Sequence, residues 1–535
     1  MAAGVYRTGV ARMSEARGEE VLFYRDGKTA SVAIRTMADH MRSIATNGKV
    51  DAGIRMADDG KPAADEITMA MAGVVGLLHH PQPRTAAVIG FGSGLTTHTL
   101  LGDPHLERVD TIEIEPAMIE GARLFGKHVE RAYTDPRSHL HIEDARTYFA
   151  ANRSRYDIIL SEPSNPWVSG VASLFSTEFY EFIPHHLAPG GLFVQWVQLY
   201  EINDELVASV VHALSQTFGD YRIYLAYNND MLIVARADGP VQDIREEVLA
   251  APVLQPELAR LGIGTGPEVL AHQMGDRASL GPLFDALSQR VNSDYYPVLS
   301  LEAPRARFAN QVAWAMVRLP VADLPYREVL AGLKPHKASG ITDTSSYAYT
   351  GALHRATRIG AALRDGTPLE GADAATLAFV RESVGECRGA QDPELAIGAL
   401  LGLVDITLSF LDDEARRGVW IDPAWVRCTT QPPEVRGMLD AISALARHDG
   451  TALQQHAVQL LSGGGAPRAP NVRDWLLRAA MLGAIEAGDP AAAVRLERTL
   501  GRGIPSTAPD LWYRMWMLNI ATRQAGAAAP AAPGS

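Results

Sequence analysis

The chain has 535 residues, of which 47% are apolar and 21% charged, and its formal net charge is -13. This length exceeds what one hydrophobic core usually supports, and the apolar fraction excludes a disordered chain, so about two to four folded domains are expected. The acidic balance argues against nucleic acid as a partner, because phosphate binding needs clustered Lys and Arg, and it suits a cationic substrate.

Cysteine usage and hydropathy bear on the compartment. The two cysteines, Cys387 and Cys428, have no Cys-x-x-Cys spacing, which predicts neither a disulfide framework nor a zinc site and favours a reducing compartment. No window reaches the roughly 18 to 20 apolar residues of a membrane span, and Met1 to Arg17 lacks the apolar core of a signal peptide. We therefore expect a cytoplasmic protein without a membrane span in this chain.

The first elements predicted along the chain are two hairpins and a helix. Val21 to Ile34 forms two β-rich runs around an Asp-Gly turn, and Asn47-Gly48 marks a second hairpin. Ala64 to His80 has the apolar positions of a buried helix that ends before Pro81. Residues 1–55 are therefore predicted to form a small β-hairpin domain.

From Thr85, short apolar runs alternate with helical stretches, as in a doubly wound α/β sheet. The predicted strands are Ala86–Ile89, Val109–Ile114, His139–Ile142, Tyr156–Leu160, Gly191–Val197, Tyr221–Ala226 and Met231–Ala235. The close final pair is typical of the methyltransferase-type sheet, which finishes in an antiparallel hairpin. The predicted fold is thus α/β, with a Rossmann-like domain over residues 56–237.

Beyond Asp238 the pattern becomes helical. A helical extension is expected over 238–304, with breaks at Ser293–Pro297 and Ala303-Pro304. Residues 305–524 contain Ala- and Leu-rich stretches that resemble stacked helical hairpins, although no period identifies a repeat family. Examples are Glu394–Leu411, Glu434–Arg447 and Asn471–Ala487. An all-α C-terminal region is therefore expected, followed by a disordered tail over 525–535.

A glycine loop follows the first strand of the sheet and precedes a helix starting near Leu95. Gly90, Gly92 and Gly94, with Ser93 between the last two, allow the backbone to approach a ligand beside a helix N-terminus. The spacing is Gly-x-Gly-x-Gly rather than the Gly-x-Gly-x-x-Gly of many dinucleotide sites. The loop therefore predicts a bound nucleoside, unless it is merely a tight turn.

Carboxylates end the next two strands. Glu113 and Glu115 close the second strand, where a carboxylate can accept two hydrogen bonds from ribose hydroxyls, and Glu113 is the preferred candidate. Strand alternation should point both side chains to the same face. Asp144, beside Ala145 after the third strand, could accept a hydrogen bond from an adenine amino group or cap a helix. Because ligands bind at strand ends in open α/β sheets, these positions together predict an adenosyl ligand.

The fourth strand ends in a polar loop, Ser161–Trp167, that two prolines make rigid. Glu162 could take a proton from an attacking amine, and Asn165 could hold that amine or a sulfonium ligand by hydrogen bonds. The alternative is a proline-shaped loop with a surface Glu. The two residues are the predicted catalytic pair, and no metal is expected.

Several of these motifs, in this order, resemble the spermidine synthase (polyamine aminopropyltransferase) family, and most closely its divergent bacterial branch. They are Tyr24–Lys28, Asn47–Lys49, Val88–Gly94, Glu113–Glu115, Glu143–Ala145 and Ser161–Trp167. The resemblance covers roughly Val21 to Ala235, less than half of the chain, and extends to a further segment at Asn292–Arg305. It implies that an amine displaces methylthioadenosine from decarboxylated S-adenosylmethionine, with Glu113 binding ribose, Asp144 binding adenine and Glu162 acting as the base.

The chain departs from the family pattern at three places. Ser93 stands where the family usually has Asp, Met69-Ala70 where it has Tyr-Gln, and Asn165 where it has a second Asp. Each change removes a polar or anionic contact expected to hold the aminopropyl donor or the polyamine.

The leading hypothesis is a transferase that uses S-adenosylmethionine or its decarboxylated form and acts on a small-molecule amine. One alternative is a methyltransferase, because Asn165-Pro166-Trp167 loosely resembles the Asn-Pro-Pro-aromatic loop of amino-group methyltransferases. Another is a non-catalytic nucleoside-binding scaffold whose C-terminal helices bind a protein partner. A homodimer is also left open.

Overall fold

A computed structural model describes residues 20–57, 62–168, 170–343, 347–387, 389–463 and 466–528. The chain divides into two units. Unit 1 comprises Met1–Gln273 and Arg290–Val312, and unit 2 comprises Met274–Gln289 and Ala313–Ser535.

Unit 1 begins with a four-stranded antiparallel sheet in which neighbours in sequence are neighbours in space. Its strands are β1 (Glu20–Asp26), β2 (Ser31–Thr36), β3 (Met41–Thr46) and β4 (Lys49–Arg55). Asn47 and Gly48 have φ angles of 51° and 79°, the left-handed pair that a two-residue hairpin turn requires. Both predicted hairpins are confirmed.

The second sheet of unit 1 is mostly parallel. Seven of its eight strands lie in the order β10-β11-β9-β8-β5-β6-β7, and β11 runs antiparallel to both of its neighbours. They are β5 (Thr85–Ile89), β6 (Arg108–Glu113), β7 (Ser138–Ile142), β8 (Tyr156–Ser161), β9 (Leu187–Gln198), β10 (Asp220–Tyr227) and β11 (Asp230–Arg236). The predicted methyltransferase-type sheet with its terminal antiparallel hairpin is confirmed.

Helices of unit 1 connect these strands or cover the sheet. They are α1 (Ala64–His79), α2 (Leu95–Leu100), α3 (Pro116–Ala122), α4 (Arg131–Thr134), α5 (Ala145–Ala151), α6 (Thr177–Phe182), α7 (Asp204–Ser215), α8 (Leu254–Leu261), α9 (Gly266–Ala271) and α11 (Val298–Phe308). The short strand β12 (Gln273–Asp276) begins at Gln273, where the first of the two chain segments of unit 1 ends. Leu77 and Leu78 of α1 are fully buried in the same core as Ile158 and Val194 of the sheet, and each such leucine contributes about 1.5–3 kcal/mol.

Unit 2 is helical, as predicted for the C-terminal region. Its helices are α10 (Arg277–Leu287), α12 (Trp314–Arg318), α13 (Tyr326–Ala331), α14 (Ala348–Asp365), α15 (Gly371–Ser383), α16 (Pro393–Thr407), α17 (Asp413–Trp420), α18 (Pro433–Ala446), α19 (Gly450–Ser462), α20 (Pro470–Glu486), α21 (Pro490–Leu500) and α22 (Asp510–Ala528). Buried arginines join several of them: Arg416 of α17 donates to Glu328 of α13 at 2.7 Å, and Arg514 of α22 donates to Glu497 of α21 at 2.7 Å.

Three expectations about the C-terminal half need correction. Pro304 lies inside α11 rather than at a break. Helix α16 ends at Thr407, four residues before the predicted end at Leu411. Residues 525–528 of the expected disordered tail belong to α22, and the rest of the tail lies outside the described residues.

Cys387 and Cys428 form a disulfide, so the expectation of no disulfide is wrong. The tertiary fold brings their Cα atoms to 5.4 Å, within the range that a disulfide spans. The two positions are 41 residues apart, a spacing that carries no pairing signal. Because disulfides persist in oxidising surroundings, the pair removes the cysteine argument for a reducing compartment.

Among the described residues, no helix combines the length and the apolar composition that a membrane crossing requires.

Candidate functional site

A cavity of about 530 Å³ opens in unit 1 where the parallel strands end. Four strand ends contribute to its wall: Ile89–Gly92, Ile112–Glu115, Glu143–Ala145 and Glu162–Ser164. The N-terminal sheet closes one side of the cavity with Thr29, Ala30, Thr46 and Lys49–Ala52. Further lining residues come from α1, from β9 and from the β10–β11 turn: Asp65, Thr68, Trp196, Tyr227 and Asp230. This is the position where ligands bind in open α/β sheets.

The glycine loop is placed as predicted, but only its first half faces the cavity. Gly90 and Gly92 line the wall with Phe91. Ser93 is fully buried behind it, where its Oγ donates to Sδ of Met69 at 3.0 Å and accepts from the amide of Leu95 at 3.3 Å. The described cavity wall therefore includes neither Ser93 nor Gly94.

Gly90 has no room for a side chain. Its φ is +96°, and an added Cβ would collide with the backbone carbonyl of Glu162. We expect Gly90→Ala to lower the free energy of unfolding by at least about 1–3 kcal/mol, because it combines a left-handed φ with this contact. Gly92 is the matched control, since its φ is also positive but nothing lies within 4 Å of an added Cβ. Equal unfolding free energies for the two alanine variants in urea would contradict this prediction.

Glu113 is buried at the end of β6 and lines the cavity. Its Oε2 accepts from the amide of Phe91 and its Oε1 from the amide of Glu115, both at 2.9 Å. Burial raises the pKa of Glu113 above its ordinary value, although these backbone hydrogen bonds oppose the change. Each carboxylate oxygen has a second lone pair, so the site can still accept from two ligand hydroxyls.

The side chain of Glu115 makes different contacts from that of Glu113. Because β6 ends at Glu113, strand alternation no longer determines the direction of a side chain two residues later. The Glu115 carboxylate caps α3 and also binds the turn of the first hairpin. Burial would raise the pKa of Glu115, but hydrogen bonds from Thr29, Ala117 and Ala30 outweigh it and lower the pKa. Both Glu113 and Glu115 line the cavity, and the preference for Glu113 as the ribose-binding residue stays a prediction.

Asp144 is the N-cap of α5. Its Oδ1 accepts from the amide of Thr147 at 2.9 Å and from Oγ1 of Thr147 at 3.1 Å. Asp144 and Ala145 also line the cavity. Capping uses one oxygen, so it does not exclude a ligand contact through the other.

Glu162 follows β8 and faces the cavity. Its Oε2 accepts from Oγ1 of Thr96 at 2.6 Å. Burial, together with the charges of Asp230 and Asp65, raises its pKa to about 7 despite the Thr96 hydrogen bond. A carboxyl group with this pKa can exchange a proton near neutral pH, as a general base must.

Two further carboxylates in the wall were not identified from the sequence. Asp230 accepts from Nε1 of Trp196 at 3.0 Å and from Oγ1 of Thr68 at 3.2 Å, and burial raises its pKa. Burial and the charge of Asp230 raise the pKa of Asp65 to about 7. Asp65 resembles an ordinary first-turn helix residue and Asp230 an ordinary turn residue, so only the fold reveals that they share a cavity with Glu162.

Near these acids, a buried ion pair within β4 is hydrogen-bonded to the loop after β8. Nζ of Lys49 lies 3.1 Å from Oδ1 of Asp51, and Oγ of Ser164 donates to that same oxygen at 3.1 Å. Because Lys49 offsets the charge of Asp51, the remaining acids leave the cavity suited to cations.

Asn165 is fully buried and does not belong to the described cavity wall. Its Nδ2 donates to Oη of Tyr200 at 3.4 Å, and Tyr200 lines the cavity. The structure therefore brings Glu162 to the cavity and places Asn165 behind it.

A cluster in unit 2 has ligand-type atoms within metal-binding reach of one another, namely Glu328, Asp413 and His448. The buried guanidinium of Arg416 donates to Oε2 of Glu328 at 2.7 Å and lies 2.7 Å from Nε2 of His448. Hydrogen bonds to Glu328 and Glu486 raise the pKa of His448 to about 9. A cation bound here would be repelled by Arg416, so the geometry is that of an ion-pair network.

The family model described as Spermine/spermidine synthase domain matches residues 66–230. The chain is 33% identical over 149 residues to a polyamine aminopropyltransferase of Nitrosomonas europaea, covering 28% of this chain and 46% of the relative. It is 28% identical over 181 residues to polyamine aminopropyltransferase 2 of Pseudomonas aeruginosa, covering 33% and 50%. The chain thus spans about half the length of these curated relatives.

Among solved structures, spermidine synthase from Thermotoga maritima is 20% identical, with 45% of this chain and 87% of that chain covered and a TM-score of 0.35. The family-model match includes Gly90, Glu113, Asp144, Glu162 and Asp230. The resemblance to spermidine synthases is confirmed for residues 66–230.

Proposed function

We propose that unit 1 transfers an aminopropyl group to an amine. The premise is that residues 66–230 form a spermine/spermidine synthase domain. The donor would be decarboxylated S-adenosylmethionine, and methylthioadenosine would be released. The observation that carries this proposal is Glu162, a carboxylate with a pKa of about 7 in a cavity that also holds Asp65 and Asp230.

The nucleoside would lie along the first three strand ends. Gly90 and Gly92 let the backbone approach it, Glu113 would accept from the ribose hydroxyls, and Asp144 with Ala145 would contact the adenine. Glu113 is well suited, because two backbone amides already fix its orientation.

The amine needs a base, because an alkylammonium has a pKa of about 10.4. Glu162 would accept the proton, and the exposed lone pair would attack the donor carbon bonded to sulfur. The carbon–sulfur bond breaks with its electrons moving to sulfur, which leaves a neutral thioether. Raising the carboxyl pKa to about 7 brings it closer to the pKa of the ammonium, which makes the proton transfer less unfavourable.

Asp65 and Asp230 would hold the positive charges of donor and acceptor beside Glu162. Ser93, which stands where the family usually has Asp, contacts Met69 behind the wall, so it offers the donor no anionic contact. Asp65 lies in the same helix as Met69 and faces the cavity. We propose that Asp65 and Asp230 replace the missing contact.

The proposed base predicts a pH dependence. Glu162 accepts a proton only when it is ionised, so kcat/KM should fall about tenfold per pH unit below about 7. Asp65 interacts with Glu162, so the acidic limb reports the pair. Thr96→Val removes a hydrogen bond that stabilises the Glu162 carboxylate and should move the limb to higher pH.

Thr97→Val is the matched control for that experiment, since Oγ1 of Thr97 pairs with Oγ1 of Thr111 at 2.8 Å. Its pH profile should follow the wild type. A flat profile between pH 5 and 8 in the wild-type enzyme would exclude Glu162 as the base.

Product analysis tests the function itself. The protein is incubated with decarboxylated S-adenosylmethionine and putrescine or spermidine, and the products are identified by mass spectrometry. Methylthioadenosine with an aminopropylated amine supports the proposal. Formation of S-adenosylhomocysteine from S-adenosylmethionine would instead support the methyltransferase, and calorimetry showing no binding of either nucleoside would overturn both.

A further inference from the structure

The turn of the first hairpin forms part of the cavity wall, and one carboxylate from the Rossmann-like domain holds it there. Thr29 and Ala30 of this turn line the cavity. Oε2 of Glu115 accepts from the amide and Oγ1 of Thr29, at 2.9 and 2.8 Å, and from the amide of Ala30 at 3.3 Å. Three donors therefore converge on one charged oxygen.

The other oxygen of Glu115 has a separate role. Oε1 accepts from the amide of Ala117 at 3.0 Å and so caps α3. Gly27 leaves the space that the carboxylate fills, because a Cβ at this position would collide with it. Helix capping and turn binding are thus divided between the two oxygens of one side chain.

Glu115 also reaches the proposed ribose-binding residue through its backbone, since its amide donates to Oε1 of Glu113 at 2.9 Å. We propose that Glu115 is a positioning residue that holds the turn of residues 27–30 as a wall at the nucleoside end of the cavity. This inference rests on the proposed function, because the nucleoside is the ligand that the wall would enclose.

Glu115→Asp separates the two roles. Aspartate is a good helix N-cap and should still cap α3, but it is one methylene shorter and should not reach Thr29. In the ligand-free protein, amide hydrogen exchange at Thr29 and Ala30 should become at least about tenfold faster. Affinity for methylthioadenosine, measured by calorimetry, should fall about 5- to 30-fold.

Gly27→Ala tests the same contact from the other side, because its Cβ displaces the carboxylate. It should reproduce both effects. Glu120→Gln is the control: Glu120 pairs with Arg25 at the same boundary between hairpin and α3, but both side chains are exposed and neither lines the cavity. Its exchange rates and nucleoside affinity should match the wild type.

Unchanged exchange at Thr29 and Ala30 in both variants would overturn the proposal, as would faster exchange with unchanged nucleoside affinity. A failure of the proposed function would be recognised by a different result: the wild-type protein would not bind methylthioadenosine. That result would also overturn the role of this wall in nucleoside binding, whereas the exchange data would still report whether Glu115 holds the turn.

Discussion

Glu162→Gln is expected to lower kcat by about two to four orders of magnitude and to change the affinity for methylthioadenosine by less than about twofold. Glutamine keeps the shape of the side chain, and its amide oxygen can still accept from Thr96. It cannot accept the proton of the attacking ammonium. Single-turnover kinetics with decarboxylated S-adenosylmethionine and a diamine, together with calorimetry, would measure the two quantities.

Glu107→Gln is the control for this substitution. Glu107 is exposed, pairs with Arg84 and immediately precedes β6, whereas Glu162 follows the carboxyl end of β8. Its kcat should equal that of the wild type. If Glu162→Gln retained more than about a tenth of wild-type turnover, the carboxylate could not be the base.

Glu113→Gln should mainly lower affinity, whereas Glu162→Gln should mainly lower turnover. We expect a loss of about 5- to 150-fold in nucleoside affinity and a smaller effect on kcat at saturation. Both oxygens of Glu113 accept from backbone amides. A glutamine would turn its NH₂ group toward one of those donors and leave a buried N–H without its partner, besides weakening the ribose contact. The expected cost is about 1–3 kcal/mol.

Calorimetric titration of Glu113→Gln with methylthioadenosine would check this result, and thermal unfolding would show whether the substitution also destabilises the fold. The comparison with Glu162→Gln makes the test sharper, because one variant should lose affinity and the other turnover. Equal effects of both substitutions on affinity and turnover would show that the two carboxylates do not divide the roles as proposed.

The sequence predicted the architecture of unit 1 well because its signals are local and periodic. The Asn47-Gly48 turn, the α1 pattern and the alternating strands and helices each depend on neighbouring residues. Gly90, Glu113, Asp144 and Glu162 could be placed in one site for the same reason, since parallel strands present their carboxyl ends at one edge of a sheet.

Side-chain direction could not be predicted in the same way. Asn165 and Ser93 occupy the expected loops, yet neither lines the cavity: Asn165 donates to Tyr200, and Ser93 donates to Met69. Glu115 turns to the first hairpin because the strand ends before it. In irregular loops the backbone dihedrals, rather than a strand period, determine where a side chain points.

The sequence by itself determined the order of elements, the glycine loop and the strand-end carboxylates, because backbone preference and hydrophobic period act over a few residues. Only the tertiary structure decided that Asp65 and Asp230 join Glu162, that Cys387 meets Cys428, and that Glu115 holds the hairpin turn. These contacts join positions far apart in the chain. They depend on how the sheets and helices pack, and so no local pattern in the sequence predicts them.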